Sequence, residues 1–144
     1  MDNIVMQLVQ DVPDAVMAAD ARGIIRYWNR GAELIFGYAA AEAIGQSLDL
    51  IIPENLRGRH WEGYNRVMAS GETKYKTGLL TSPGVAKDGS RVSLEFSMVL
   101  LRDDSGAMWG CGAVMRDVTA RWQREKELKA RIADCEARHG DHPE

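Results

Sequence analysis

Apolar positions along the chain recur at two periods, about 3.6 residues in some stretches and 2 in others, and the switches between them outline the elements. In residues 2–10 (DNIVMQLVQ), Ile4, Val5, Leu8 and Val9 share one helical stripe and predict a short leading helix. The runs AVMAAD (15–20) and IIRYWN (24–29) are separated by DARG, where Gly23 accommodates a positive φ, and this pair predicts a β-hairpin. RGAELIFGY and AAEAIGQSL then predict two short helices punctuated by Gly37 and Gly45, the first packing Ala32, Ile35 and Phe36, the second Ala43, Ile44 and Leu48.

The longest helical pattern lies in IIPENLRGRHWEGYNRV, residues 51–67, with Pro53 suited to a first turn and Gly71 to a C-terminal stop. Leu56, His60, Gly63, Tyr64 and Val67 have the i, i+4, i+7, i+8, i+11 spacing of a buried face, while Arg57, Arg59, Glu62, Asn65 and Arg66 point elsewhere. Three strand-like runs follow at 75–86, 90–101 and 107–118, separated by KDGS and DDSG, whose Asp and Gly suit tight hairpins. In the middle run Val92, Leu94, Phe96, Met98 and Leu100 alternate with Ser93, Glu95 and Ser97, the pattern of a half-buried strand. From Thr119 the chain becomes a charged helix in which Leu128, Ile132 and Cys135 keep a 4-3 spacing. A solvated tail and a dimerising helix both fit that stretch, and the final DHPE reads as disordered. The order predicts an α+β fold with one antiparallel sheet, helices on one face and an exit helix.

Composition narrows the function classes. With 144 residues, 45% apolar and 27% charged, the chain suits one globular domain with a short extension. A net charge of -3 offers no electrostatic footprint for nucleic acid. No run is long enough to span a bilayer, and the N-terminus has no basic leader, which reads as cytoplasmic with no membrane contact. Cys111 and Cys135 are too few and too far apart for a disulfide framework or a zinc site.

Catalysis finds little support. The chain has no GxSxG, phosphate-cradling glycine loop or HExxH, and Glu33 and Glu42 read as solvated, so an enzyme is not expected. His139 and His142 lie in the charged tail without packing context. His60 is the odd residue, an ionisable imidazole on a buried stripe. As a core histidine it would hydrogen-bond through its ring nitrogens. As a ligand, neutral imidazole on a rigid helix can approach a flat macrocycle, with Gly63 leaving room beside it. Arg66 could then meet a propionate, and Phe96 and Met98 on the apolar strand face could cover a porphyrin.

The span from about Asn3 to Thr119 resembles a PAS sensor domain. The resemblance rests on GIIRYWNRGAELIFGYAAAEAIGQSL, the KDG turn, and VMRDVTAR with its Arg116-Asp117-Val118-Thr119 exit signature. Within that family, IIPENLRGRHWEGYNR is similar to the haem-PAS domains of oxygen-sensing kinases in its Pro-Glu, Arg-x-Arg-His and downstream Arg pattern, and the distance from His60 to Asp88-Gly89 matches without a gap. The resemblance implies a five-stranded PAS fold, b-type haem, His60 as the proximal iron ligand and Arg66 on a propionate. Three departures qualify it: the relative's tyrosine falls on Gly63 with Tyr64 one residue later, its distal arginine falls on Leu80, and the hairpin from about Asp103 to Gly110 is longer by about two residues. Without a cationic donor at Leu80, bound O2 loses stabilisation, which favours CO, NO or redox sensing. Tyr75 is a candidate replacement donor. Met98 offers a thioether as a sixth ligand, although a core methionine is the expected outcome. The reactive cysteine of flavin-binding relatives has no counterpart in AIGQSLDLIIP.

The expectation is therefore a helical cap at 1–10, a PAS domain at 11–118, and a signalling helix with a disordered tail at 119–144. Such a domain would sense a diatomic gas or redox state and signal through its exit helix to an output partner, within a homodimer. The rival expectation is a haem-free interaction and dimerisation module with His60 in its core. A metabolite sensor would need basic groups in the pocket, for which only Arg66 and Lys74 are candidates.

Overall fold

Asn29 shows how local chemistry sets the architecture. It precedes an apolar helical run, and its Oδ1 accepts from Ala32 N at 2.9 Å, capping the helix Arg30–Phe36. The same oxygen accepts from Val16 N at 2.8 Å on the first strand. Its Nδ2 donates to Val9 O, Val12 O and Asp14 O, tying down the end of the leading helix. Five backbone groups thus converge on one fully buried side chain.

The computed structural model describes residues 2–73 and 78–140. Along the chain run α1 (Asp2–Asp11), β1 (Ala15–Asp20), β2 (Ile25–Trp28), α2 (Arg30–Phe36), α3 (Ala40–Ala43), two 3-10 turns (Leu48–Ile51 and Glu54–Leu56), α4 (Arg57–Ser70), β3 (Leu80–Val85), β4 (Arg91–Arg102), β5 (Met108–Asp117) and α5 (Thr119–Gly140). The five strands form one antiparallel sheet in the order β2-β1-β5-β4-β3.

Register decides which side chains share the inner face. Leu80 pairs with Phe96, Phe96 with Met115 and Ala15 with Met115, so these four form one row. Met98, Ala113 and Met17 form the next row, and Leu100, Cys111 and Ala19 the one after it. The core lies between this face and the helices, with Trp28, Phe36 and Ile25 fully buried. Each such side chain contributes about 1.5–3 kcal/mol through area removed from water. At both predicted turns an Asp carboxylate accepts backbone N–H groups, Asp88 from Ser90 and Asp103 from Ser105 and Ala107, with Gly89 and Gly106 at positive φ.

Three local expectations are corrected. Ile44, expected to pack, is 42% exposed, because it follows a helix of only one turn and caps it from an extended conformation. The first of the three late strands runs Leu80–Val85 and excludes residues 78 and 79, while residues 74–77 lie outside the described part. Glu33 and Glu42 are not simply solvated. Glu33 accepts from Ala40 N and Glu42 from Ala39 N, and Glu42 also pairs with Lys87, which pins the β3–β4 turn to α3. The leading helix forms as expected, with Ile4, Val5 and Leu8 more than half exposed and Val9 part-buried.

The segment 141–144, expected to be disordered, lies outside the described residues. Among the described residues no helix is long and apolar enough to cross a membrane.

Candidate functional site

The helix α4 crosses the inner face of the sheet and is anchored by two aromatic side chains. Trp61 Nε1 donates to Asp49 Oδ1 at 2.7 Å, and its ring lies on Gly23 in the β1–β2 turn. A Cβ at Gly23 would come within 2.1 Å of that ring, and Gly23 has φ +79°, so glycine is required there twice over. Tyr64 is buried and donates its hydroxyl to Asp20 O at 2.6 Å, with Ala19 O at 3.4 Å. Burial pushes its phenol well above the ordinary range, and the neighbouring Cys111 and Asp20 add to the effect.

His60 sits between these anchors. Its ring meets Trp61 edge-on at 4.7 Å between centroids and Tyr64 at 5.6 Å. The predicted stripe is the inward one. Tyr64 is buried, Leu56, His60, Gly63 and Val67 are part-buried, while Arg59, Glu62, Asn65 and Arg66 face solvent. His60 Nδ1 is buried and has no hydrogen-bond partner, the single such side-chain atom among the described residues. Burial holds the imidazole below its usual range, against the nearby Asp49 carboxylate, which favours its neutral form. A neutral imidazole with an unused nitrogen has the chemistry to ligate a metal.

Opposite α4, β4 is covered unevenly. Val92 and Leu94 are buried in the cluster that contains Ile51, whereas Phe96, Met98 and Leu100 stay part-open. The helix touches the sheet at β5 and, through Tyr64, at the end of β1. Leu80, Phe96 and Met98 therefore line one part-open apolar face, as the register requires. A Cβ at Gly63 would meet nothing within 4 Å. A flat apolar group could lie against this face, and His60 is the residue on α4 that would hold a metal at its centre. Among the described residues no group of three His, Cys, Asp or Glu side chains gathers as a protein-only metal site.

The other sequence-predicted residues are placed differently. Arg66 faces solvent and pairs with Glu62 at 3.4 Å, one helical turn back. Tyr64 shares the face of His60, but its hydroxyl is committed to β1. Tyr75 lies outside the described residues. Cys111 is buried on the inner face, and burial raises its thiol to about 11. An open cleft of about 670 Å³ between the second 3-10 turn and the β3–β4 turn, with Arg57 and Arg91 among its lining residues, contains none of the predicted site residues.

Sequence reasoning missed Asn29, Asp49 and the Trp61–Gly23 contact. An Asn directly before a helical run is a readable N-cap signal. The other two join residues 12 and 38 positions apart (61 − 49; 61 − 23), which local pattern does not connect.

Comparison with known proteins adds independent findings. The sequence profile of the PAS fold matches residues 9–123. Sensor protein FixL of Bradyrhizobium diazoefficiens is 28% identical over 122 residues, covering 85% of this chain and 24% of FixL. Oxygen sensor protein DosP of Escherichia coli is 24% identical over 119 residues, covering 83% of this chain and 14% of DosP. A protein of Azorhizobium caulinodans is 31% identical over 117 residues, 81% of this chain and 16% of its own length. The chain thus spans less than a quarter of the curated relatives it matches. Among solved structures, the PAS domain of a Colwellia psychrerythraea protein superposes with a TM-score of 0.71 at 22% identity, over 82% of this chain and 97% of that one. An RNA-binding Light-Oxygen-Voltage receptor gives 0.73 at 22% identity, over 92% and 37%.

Proposed function

The chain belongs to the PAS-fold family, and from that premise we propose that it is a sensor domain holding b-type haem through His60 and signalling through α5. The observation that carries this reading is the buried, unpartnered imidazole nitrogen of His60 on the inward face of α4. Leaving such a nitrogen unpaired costs about 1–3 kcal/mol, a penalty that a ligand role explains and a packing role does not. Similarity to a protein named as an oxygen sensor supports the same reading.

Haem, once bound, supplies an iron centre that takes a diatomic gas or changes oxidation state. The chain's own residues do the rest. His60 would hold the iron through a ring nitrogen, and its burial favours the neutral imidazole that such a bond needs. Trp61 and Tyr64 hold α4 at a fixed height over the sheet. Phe96, Met98 and Leu80 exclude water from the opposite side. Arg66 would leave Glu62 to meet a propionate at the solvent edge. Because Tyr64 is committed to Asp20 O and position 80 is leucine, neither offers a donor to bound gas, so CO and NO are favoured over O2.

The output is a fused or associated partner reached through α5, in a cytoplasmic setting. A second copy of the chain is the natural cover for Ile4, Val5 and Leu8 of α1 and for Val99 and Val114 on the outer sheet face.

Reconstitution with haem tests the reading. The wild-type protein should show a Soret band at one haem per chain, and His60→Ala should abolish or strongly shift it. Wild-type protein that takes up no stoichiometric haem would instead be an interaction and dimerisation module.

A further inference from the structure

The strand β4 is gripped at both ends by elements that a sensor must connect. At its C-terminal end Arg102 donates from Nη2 to Gly71 O at 2.7 Å and from Nη1 to Gly106 O at 3.3 Å. Gly71 is the αL residue that stops α4, and its N–H closes the last turn on Val67 O. A Cβ there would lie 3.2–3.3 Å from the guanidinium nitrogens, so the planar fork rests on the glycine itself. A cation at this place also faces the negative end of the α4 dipole. The register shift between Leu101 and Arg102 takes Arg102 out of the regular alternation of the strand, which suits this reach.

The other end of β4 holds the exit helix. Arg121 Nη2 donates to Glu95 Oε2 at 2.5 Å, Ser93 N donates to Thr119 Oγ1 at 2.9 Å, and Val118 N donates to Ser93 O at 2.8 Å. Asp117 caps the start of α5 through Thr119 N and Oγ1. Between Glu95 and Arg102 the strand rises about 23 Å at roughly 3.3 Å per residue. Along that length it pairs with β5, which makes it stiff.

We propose that Arg102 is a latch joining the end of α4 to β4, so that displacement of α4 reaches α5 along a strand held at both ends. As a route for signals from His60 it rests on the haem reading. The mechanical coupling itself does not. Any movement of α4 that carries Gly71 away from the sheet must break or drag the Arg102 contact. The Glu95–Arg121 pair and the Ser93 hydrogen bonds deliver the strand's displacement to the first turn of α5.

Amide hydrogen exchange on the full chain tests the latch without haem. Arg102→Met keeps the apolar stem and removes the donors, and Arg102→Lys keeps the charge but not the two-point fork. With Arg102→Met, exchange should quicken roughly fivefold, the scale of one hydrogen bond, in peptides covering both 67–71 and 119–123. Lysine should recover part of the first effect. Glu95→Gln should loosen 119–123 and, by reciprocity, 67–71. Quickening confined to 67–71 and the β4–β5 turn would overturn the proposal.

In haem-loaded protein, Arg102→Met should leave the Soret band unchanged and remove most of any CO-linked change in α5 exchange. An undiminished change would overturn the proposed route. Protein that takes up no haem would defeat the haem reading, with the haem-free exchange still judging the latch.

Discussion

Replacing His60 by leucine separates a ligand from a core residue, because the two readings predict opposite changes in stability. In the haem-free protein, Nδ1 is buried without a partner, a penalty of about 1–3 kcal/mol that leucine removes. Leucine gives up the ring contact with Tyr64 at 5.6 Å, worth about 0.5–1.5 kcal/mol. The contact with Trp61 joins neighbours in sequence and weighs less. The net expectation for His60→Leu at pH 7.5 lies between about 0.5 kcal/mol of lost and about 2.5 kcal/mol of added stability, centred on about 1 kcal/mol added.

Acid should sharpen the contrast. The imidazole's folded pKa lies below the ordinary 6.5, because burial disfavours the charged form. As pH falls through 6.5 the unfolded chain takes up a proton that the folded chain refuses, so wild-type stability drops by at most about 1.4 kcal/mol per pH unit until the folded pKa is reached. His60→Leu lacks this loss. Urea unfolding at pH 7.5 and 5.5 measures both effects. Haem titration of the same samples should show no stoichiometric uptake by the variant. A His60→Leu protein less stable than wild type by more than about 2 kcal/mol at pH 7.5 would refute the reasoning, since Nδ1 must then have a partner.

Four further outcomes are expected. Asn29→Ala strips the cap of α2 and orphans buried groups on three elements, and should cost about 3 kcal/mol in urea unfolding. Gly23→Ala drives a methyl group into Trp61 at a positive φ, and should lower the melting temperature, with Trp61→Phe relieving part of the loss in a double-mutant cycle. Cysteine labelling at pH 8 should modify one thiol, the exposed Cys135, and reach Cys111 only on unfolding, because burial keeps that thiol protonated at about 11. Leu80→Arg in haem-loaded protein should slow O2 release at least tenfold in stopped-flow, by restoring a cationic donor on the covering face. An unchanged rate would show that this face does not adjoin the bound gas.

The order of elements was legible because period 2 and period 3.6 separate cleanly along this chain. Once β4 is a strand, the alternation from Val92 to Leu100 assigns those residues to one face, and the structure keeps that assignment. Glycines and Asx residues marked most turns correctly, Gly71 among them. Ile44 failed because its apolar character was read as burial on a helix too short to provide it. Spacing puts Arg66 off the inward stripe of His60, and the structure agrees. Six residues along a helix place it about 120° away, where it meets Glu62 and solvent.

His60 divides most clearly between what local sequence determines and what tertiary structure decides. Its helix and inward stripe follow from spacing, because helix geometry is local. That Nδ1 is left without a partner follows only from packing. Trp61 is fastened to Asp49 and Gly23, and Tyr64 to Asp20, by contacts that set the helix over the sheet. Those contacts span up to 44 residues, and no periodicity in one stretch reports which distant backbone carbonyl will consume a neighbour's hydroxyl. The same holds for Arg102, an unremarkable charge at a strand end until the fold brings the last turn of α4 within reach of its guanidinium.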